Sequence, residues 1–356
     1  MKTIVRRTAR AVCTLALALI LPTAASAACA GFDDVPESAD CYESVMYLAE
    51  CEIAAGTGND CFSPEQLITV EQWAVMLCRA YGVETIGDSW QDVGRSSVVE
   101  AYRQGWLNET ALSAPRSPMC RSVLVESAFA AADVPVYDST LYEGGASLST
   151  ADNILRVGRE LGLCSDDADT NALVTRGDAA IILHVVLTQS FRIEEPPVPV
   201  TLVNAAGVNI NDYLLALRQV PEPVLAAFNA AGWTYRIDFD YMGGLSKKLN
   251  MSCIGATNYS QKTIYLSDAS ATLHEFGHFL DWTRGFPAEH EQLFRAEAAA
   301  APLRNYAKTN AREYFADCFA YWVKYAENAN AISLLQECAP MTYRYMEDLM
   351  RIANRL

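Results

Sequence analysis

The sequence predicts a multidomain chain, an all-α repeat module followed by a domain of mixed α+β character. Three observations carry that reading. Helix starts of one type recur at Thr69, Cys120 and Thr175, a proline-rich stretch closes the recurrence at 192–200, and strand-like alternation with two strongly periodic helices follows. With 356 residues, the chain has room for two proper cores.

Taken from the start, Lys2, Arg6, Arg7 and Arg10 precede an apolar run at 11–21, and Ala25-Ser26-Ala27 offers an A-x-A cleavage site. Residues 1–27 therefore read as a secretory signal peptide. The apolar run is too short to cross a bilayer, and no later stretch is long enough, so a secreted protein without a transmembrane segment is expected. Cysteine usage agrees. Of eleven cysteines, Cys13 leaves with the leader and ten remain, an even number that predicts disulfides in an oxidising compartment, with their pairing open. No C-x-x-C pair occurs, which argues against a cysteine-held zinc.

Charge divides the chain. Residues 28–199 hold nine arginines, no lysine and 27 acidic residues, a net −18, whereas 200–356 hold 14 basic and 16 acidic residues, a net −2. So acidic a first half excludes nucleic acid as a partner, since a polyanion would be repelled.

Three units are read in residues 28–191, at about 28–85, 86–138 and 139–191. The first opens on Phe32-Asp33-Asp34-Val35 and reaches Ile68-Thr69-Val70-Glu71, where Thr69 is a natural helix N-cap. The second opens on Trp90-Gln91-Asp92-Val93 and has Met119-Cys120-Arg121-Ser122 at the matching helix start; the third has Val174-Thr175-Arg176-Gly177-Asp178. This pattern resembles the S-layer homology repeat. The resemblance implies a pseudo-threefold module that anchors exported proteins to a secondary cell-wall polymer, and hence a location at the wall or surface layer. It also makes Arg121 and Arg176 candidates for gripping an acidic sugar, because a guanidinium holds a carboxylate through two hydrogen bonds. The alternative is that both arginines serve only the helix starts. Three departures stand against the family pattern: Val70 replaces its arginine, the second unit lacks the threonine, and the third lacks the aromatic-Asp-Val opening.

Residues 192–200, RIEEPPVPV, read as an extended connector rather than helix or strand. Beyond it, alternation at Tyr235, Ile237, Phe239 and Tyr241 predicts a strand over 234–241, with Gly243-Gly244 turning the chain. A second strand is expected at 262–266, placed as the edge to which an extended peptide adds. Then comes ATLHEFGHFLDW, residues 271–282. His274 and His278 are one helical turn apart and project from one face, with Glu275 beside them; H-E-x-x-H supplies two zinc ligands and a general base. Phe276 and Phe279 read as core, and Gly277 as a point of close helix packing.

A catalytic zinc takes a third protein ligand and keeps one open position. The metzincin pattern would need Gly at 281 and His at 284; Asp281 and Arg284 exclude it. His290, within an acidic segment, reads as surface. On the later periodic helix, Glu313 and Asp317 flank an apolar stripe of Phe315, Phe319 and Trp322. A carboxylate pair beside these rings is costly to bury unless a metal neutralises one and a histidine N–H satisfies the other. Glu313 is then the third ligand and Asp317 the group that orients His274 or His278, the alternative being a solvent-facing acidic pair.

HEFGHFLD followed by Tyr306 and then Glu313-Tyr314-Phe315-Ala316-Asp317 resembles the catalytic domain of anthrax lethal factor and its small relatives, the Pro-Pro endopeptidases. The resemblance implies that residues 201–356 form a gluzincin-type zinc metalloprotease. It implies Zn²⁺ held by His274, His278 and Glu313, Glu275 as general base, and Tyr306 as donor to the oxyanion. The implied substrate is an extended, proline-containing protein segment. A competing expectation is a wall-binding surface protein whose protease-like domain is inactive.

Overall fold

The computed structural model describes residues 2–5 and 31–353. The proposed leader's other basic residues and its cleavage site lie outside them. Contacts divide the chain into two compact units, 1–140 with 144–195, and 196–356 with 141–143.

The first unit is built from α1 (Tyr42–Glu50), α2 (Val70–Ala80), α3 (Trp90–Arg103), α4 (Glu109–Ser113), α5 (Arg121–Ala131), α6 (Thr150–Glu160) and α7 (Arg176–Thr188). Thr69, Cys120 and Thr175 are the N-caps of α2, α5 and α7. Thr69 forms a full capping box with Gln72, and the Thr175 side chain accepts from Asp178 N–H, whereas Cys120 makes no side-chain cap. The segments before these caps join in a ring: Ile68 N–H donates to Val174 O, Val174 N–H to Met119 O, and Met119 N–H to Ile68 O. That closed set of three bonds gives the unit an approximate threefold centre.

Two expectations change. Residues 191–194 form a strand, not a connector: β2 (Phe191–Glu194) pairs antiparallel with β1 (Lys2–Val5), burying Phe191 and Ile193 and exposing Arg192 and Glu194. Alternation over four residues outweighed the prolines, which begin only at Pro196. No disulfide joins any of the nine described cysteines. Cys78 and Cys318 instead lie fully buried in helices, Cys78 against Ser97 O and both with thiols pushed up by burial.

The second unit holds a mixed four-stranded sheet in the order β3 (Leu202–Asn204), β4 (Thr234–Ile237), β6 (Thr263–Leu266) and β5 (Gly255–Asn258). The first three are parallel and β5 runs antiparallel to β6. Thus 263–266 is an interior strand, buried at all four positions, and the edge beside the site is β5. Burial on both faces is what an unbroken β-prone run such as TIYL indicates. The predicted strand at 234–241 stops at Ile237. Asp238 then caps α10 (Phe239–Leu249), accepting from Tyr241 N–H, so Gly243 and Gly244 lie inside a helix and turn nothing.

Around the sheet run α8 (Asn211–Gln219), α9 (Glu222–Ala230), α11 (Thr272–Thr283), α12 (Ala288–Glu297), α13 (Ala311–Tyr325), α14 (Ala329–Cys338) and α15 (Pro340–Ala353). Phe276 and Phe279 of α11 are fully buried, meeting Phe228 and Trp233 with ring centroids 4.9 Å (Phe228–Phe276) and 5.2 Å (Trp233–Phe279) apart. On its other side α11 lies directly on α13. A Cβ at Gly277 would come within 2.6 Å of Ala316 Cα and 2.8 Å of Ala316 O, so only glycine permits this approach. Among the described residues, no helix is long and apolar enough to cross a membrane.

Candidate metal centre

The close crossing of α11 and α13 brings three side chains to one point. His274 Nε2 lies 3.1 Å from His278 Nε2 and 3.1 Å from Glu313 Oε2, and His278 Nε2 lies 3.3 Å from the same carboxylate oxygen. Two histidines on successive turns of α11 face a glutamate in the first turn of α13, whose start is capped by Asn310.

Whether these groups suit a metal can be tested on their protons. Asp317 Oδ1 sits 2.6 Å from His274 Nδ1, and an ionised carboxylate only accepts, so Nδ1 keeps its proton and Nε2 is the nitrogen that takes either a second proton or a metal. His278 Nδ1 is buried without a partner among the described residues, and its Nε2 also points into the cluster. Two imidazole lone pairs and a carboxylate oxygen thus converge, and a cation satisfies all three. Ligands about 2.0–2.1 Å from a tetrahedral zinc are separated by about 3.3–3.4 Å, close to the spacings seen. Among the described residues this is the group of histidine, cysteine and carboxylate side chains placed to hold a metal ion.

The surrounding charges fit the same purpose. Burial works to lower the His274 pKa, but hydrogen bonds to Asp317 and Glu313 and the charge of Glu275 outweigh it and lift it to about 9. Burial opposes ionisation of Glu313 and Asp317, yet bonds to His274 and His278, and to His274 and Arg304 respectively, hold both carboxyls below their ordinary values. Arg304 grips Asp317 with two bonds, Nε to Oδ2 at 2.6 Å and an Nη2 contact to Oδ1 at 2.8 Å. Asp317 therefore orients His274 and not His278, and Arg304 holds Asp317. Nothing in the sequence marked Arg304, because it lies outside both periodic helices, in the turn before Tyr306.

Glu275 is 4% exposed and faces the cleft, with Thr257 Oγ1 of β5 donating to its Oε2 at 2.6 Å. Tyr306 is 40% exposed on the short 3-10 helix Asn305–Lys308, its ring 6.1 Å from that of His274. Burial together with the charges of Glu313 and Glu275 pushes its phenol up to about 12, so it stays a hydrogen-bond donor at neutral pH. Two cavities, about 700 and 630 Å³, meet here and share Met251, Cys253, Gly255, His274, Glu275 and Tyr306. His278 and Glu313 line the second of these cavities, and Asp317 and Arg304 the first.

His290 is neither a ligand nor on the surface. It is 3% exposed, stacked on Phe315 at 3.9 Å, and bonded through Nδ1 to Asp281 Oδ1 (2.7 Å) and through Nε2 to the Tyr345 hydroxyl (2.8 Å). Its acidic neighbours Glu289 and Glu291 point outward while the helix turns His290 inward, a distinction composition cannot make. Arg284 donates to the same hydroxyl, so Asp281 and Arg284, at the positions that excluded the metzincin pattern, tie α11 to α12 and α15.

Arg176, in the first unit, is committed to the fold. It is 5% exposed and donates through Nε to Phe62 O (2.9 Å) and through Nη2 to Ala55 O (3.1 Å), with its guanidinium 4.6 Å from the Phe62 ring centroid. Only its edge reaches a cavity of about 590 Å³ lined also by Arg79 and Trp90. Arg121 lies 3.9 Å from Asp178, with Nε buried and unpartnered among the described residues.

Comparison with known proteins places two similarities on this framework. Residues 238–349, which contain the whole cluster, match the family model described as anthrax toxin lethal factor, N- and C-terminal domain. Residues 31–72 match the S-layer homology domain model. A solved structure, the Pro-Pro endopeptidase PPEP-2 from Paenibacillus alvei, aligns at 17% identity over 42% of this chain and 96% of its own, with a TM-score of 0.34. No curated protein matches the chain. The chain is therefore multidomain, with a region similar to the S-layer homology domain ahead of a domain similar to anthrax lethal factor.

Proposed function

We propose that this chain is an exported zinc endopeptidase of the gluzincin type, associated with the cell wall through its first unit. The observation that carries the reading is the convergence of His274 Nε2, His278 Nε2 and Glu313 Oε2 within 3.3 Å of one another beside Glu275. The match to the lethal factor family over 238–349 supports the same chemistry.

In this reading His274, His278 and Glu313 hold Zn²⁺, which supplies Lewis acidity that polarises a peptide carbonyl and makes water nucleophilic near neutral pH. Asp317, clamped by Arg304, keeps the Nδ1 proton on His274 and so keeps Nε2 directed at the ion. Glu275 takes a proton from the attacking water and returns it to the leaving amine. Tyr306, protonated at neutral pH, donates to the developing oxyanion, a contribution of about 3–4 kcal/mol per donor in acyl-transfer sites. As the edge strand, β5 can take an extended peptide as a further strand, beside cavities that share Glu275 and Tyr306. Proline-containing surface proteins are the substrates we expect. The S-layer homology match supports binding of a cell-wall polymer, with the free edge of Arg176 and Arg121 as its candidate contacts.

Zinc content of the purified protein and cleavage of a proline-rich peptide library by wild type and Glu275→Ala test the proposal. One zinc per chain and cleavage lost in the variant are expected. A zinc-free protein, or equal cleavage by both, sinks it and leaves the wall-binding surface protein as the surviving reading.

A further inference from the structure

The strand that offers its edge to the cleft also carries the seat of Glu275. Positions 255 and 257 lie two apart on β5 and so face the same side of the sheet. Each meets the Glu275 side chain in a different way. Thr257 Oγ1 lies 2.6 Å from Glu275 Oε2, with the Glu275 backbone carbonyl 3.4 Å away as a second, weaker acceptor. At Gly255 the contact is one of space. A Cβ there would stand 2.6 Å from Glu275 Oε1, 3.0 Å from its Cγ and 2.8 Å from Ala271 Cβ.

We propose that Thr257 is a positioning residue which, with Gly255, holds the Glu275 carboxylate in a single orientation, Oε2 bound by the hydroxyl and Oε1 left as the proton-accepting atom. The catalytic meaning of this seat rests on the protease reading above. A glutamate side chain has three rotatable bonds, and a carboxylate 4% exposed in a cleft would otherwise choose among several rotamers. The 2.6 Å bond selects one, and the missing side chain at 255 makes the space that rotamer occupies. Among the described residues only Oε2 receives a hydrogen bond, so Oε1 is the oxygen with a lone pair to spare. Because β5 is the edge strand, a peptide pairing with it is aligned by the same strand that aims the base. Substrate register and base geometry are thereby tied to one element.

Three variants of the full-length, zinc-loaded protein test this on a cleavable peptide. Thr257→Val, which keeps shape and loses the hydroxyl, should lower kcat roughly 10- to 100-fold while KM changes by less than about twofold, the pattern of a misplaced catalytic group. Thr257→Ser, which restores the donor, should recover kcat to within about threefold of wild type. Gly255→Ala should lower kcat as well, since the carboxylate has to leave its place. Zinc content should equal wild type in all three. A purely structural role would leave serine and valine alike, or move KM and zinc content instead.

A second measurement is independent of cleavage. In zinc-free protein, Thr257→Val should lower the melting temperature by ~2–4 °C, and by nothing in a Glu275→Leu background where the acceptor is absent. Unchanged kcat in Thr257→Val, with an active wild type, overturns the inference and leaves the protease reading standing. A zinc-loaded wild type that cleaves no peptide overturns the protease reading instead; the melting coupling then decides alone whether Thr257 holds Glu275, and its absence overturns the seat.

Discussion

At the scale of single residues, the site works through partners that keep protons where ligation needs them empty or filled. Asp317 is the clearest case, held on one side by Arg304 and bonded on the other to His274 Nδ1 at 2.6 Å. Replacing it by Asn removes the charge that fixes the imidazole, and the expected loss in zinc affinity is ~10–100-fold, read by competition with a chelator. Affinity within threefold of wild type would show that Asp317 does not orient the ligand. Protonation carries a second consequence. The His274 pKa, raised from 6.5 to about 9 in the metal-free fold, means that a proton and the metal compete for the same cluster. Its stabilising effect on the metal-free protein is complete below pH 6.5 and is lost as the pH rises through 9. The depressed carboxyls Glu313 and Asp317 act oppositely, stabilising above their ordinary pKa values and losing that effect as the pH falls through the folded ones. Metal-free protein should therefore be most stable in mildly acidic solution, whereas zinc affinity should climb from pH 6.5 to 9. Calorimetric titration in buffers of different ionisation enthalpy reads the proton released; a pH-independent affinity would contradict the assignment.

At the scale of elements, the crossing of α11 and α13 decides whether the cluster exists at all. Gly277→Ala would force a methyl into the Ala316 backbone, and a helix backbone cannot yield as a side-chain end can. We expect a loss of about 1–3 kcal/mol or more, with zinc content falling because the two helices carry different ligands. Gly243→Ala is the matched control. It lies in α10 with nothing within 4 Å of an added Cβ, and should stabilise by about 0.5–1 kcal/mol. Thermal melts of both variants give the signs. The pair also marks the limit of what the sequence revealed. Gly277 was legible because it interrupts a periodic helix, where glycine is tolerated only for a packing reason. Gly243-Gly244 reads as a turn because alternation up to Tyr241 suggests a strand, while the Asp238 cap starts a helix there. The proposed ligands were legible for the same reason as Gly277, since spacing on a helix is local. Thr257 and Arg304 were not, because β5 has no apolar alternation and Arg304 meets Asp317 only through the tertiary fold. The placement of 263–266 at a sheet edge failed likewise: strand order is a property of the sheet, not of the strand.

At the scale of the whole molecule, each unit has its own core. The first is centred on the ring of Ile68, Val174 and Met119, with Arg176 buried across the 55–62 loop; the second on the aromatic cluster behind α11. Two units of this kind should melt as two transitions. If zinc binds the native second unit, as proposed, a chelator should lower one transition, by an amount that grows with the ratio of free zinc to Kd before removal, and leave the other in place. Arg176→Met should do the reverse. It keeps an apolar stem but leaves Phe62 O and Ala55 O without their donor, a cost of about 1–3 kcal/mol per buried acceptor. The expected outcome in differential scanning calorimetry is that the chelator and the substitution move different peaks and that their effects add. Zinc content and peptide cleavage should be unchanged in Arg176→Met. If both perturbations shift one common transition, the chain folds as a single cooperative body, and the repeat module is then part of the enzyme's stability rather than a separate means of attachment.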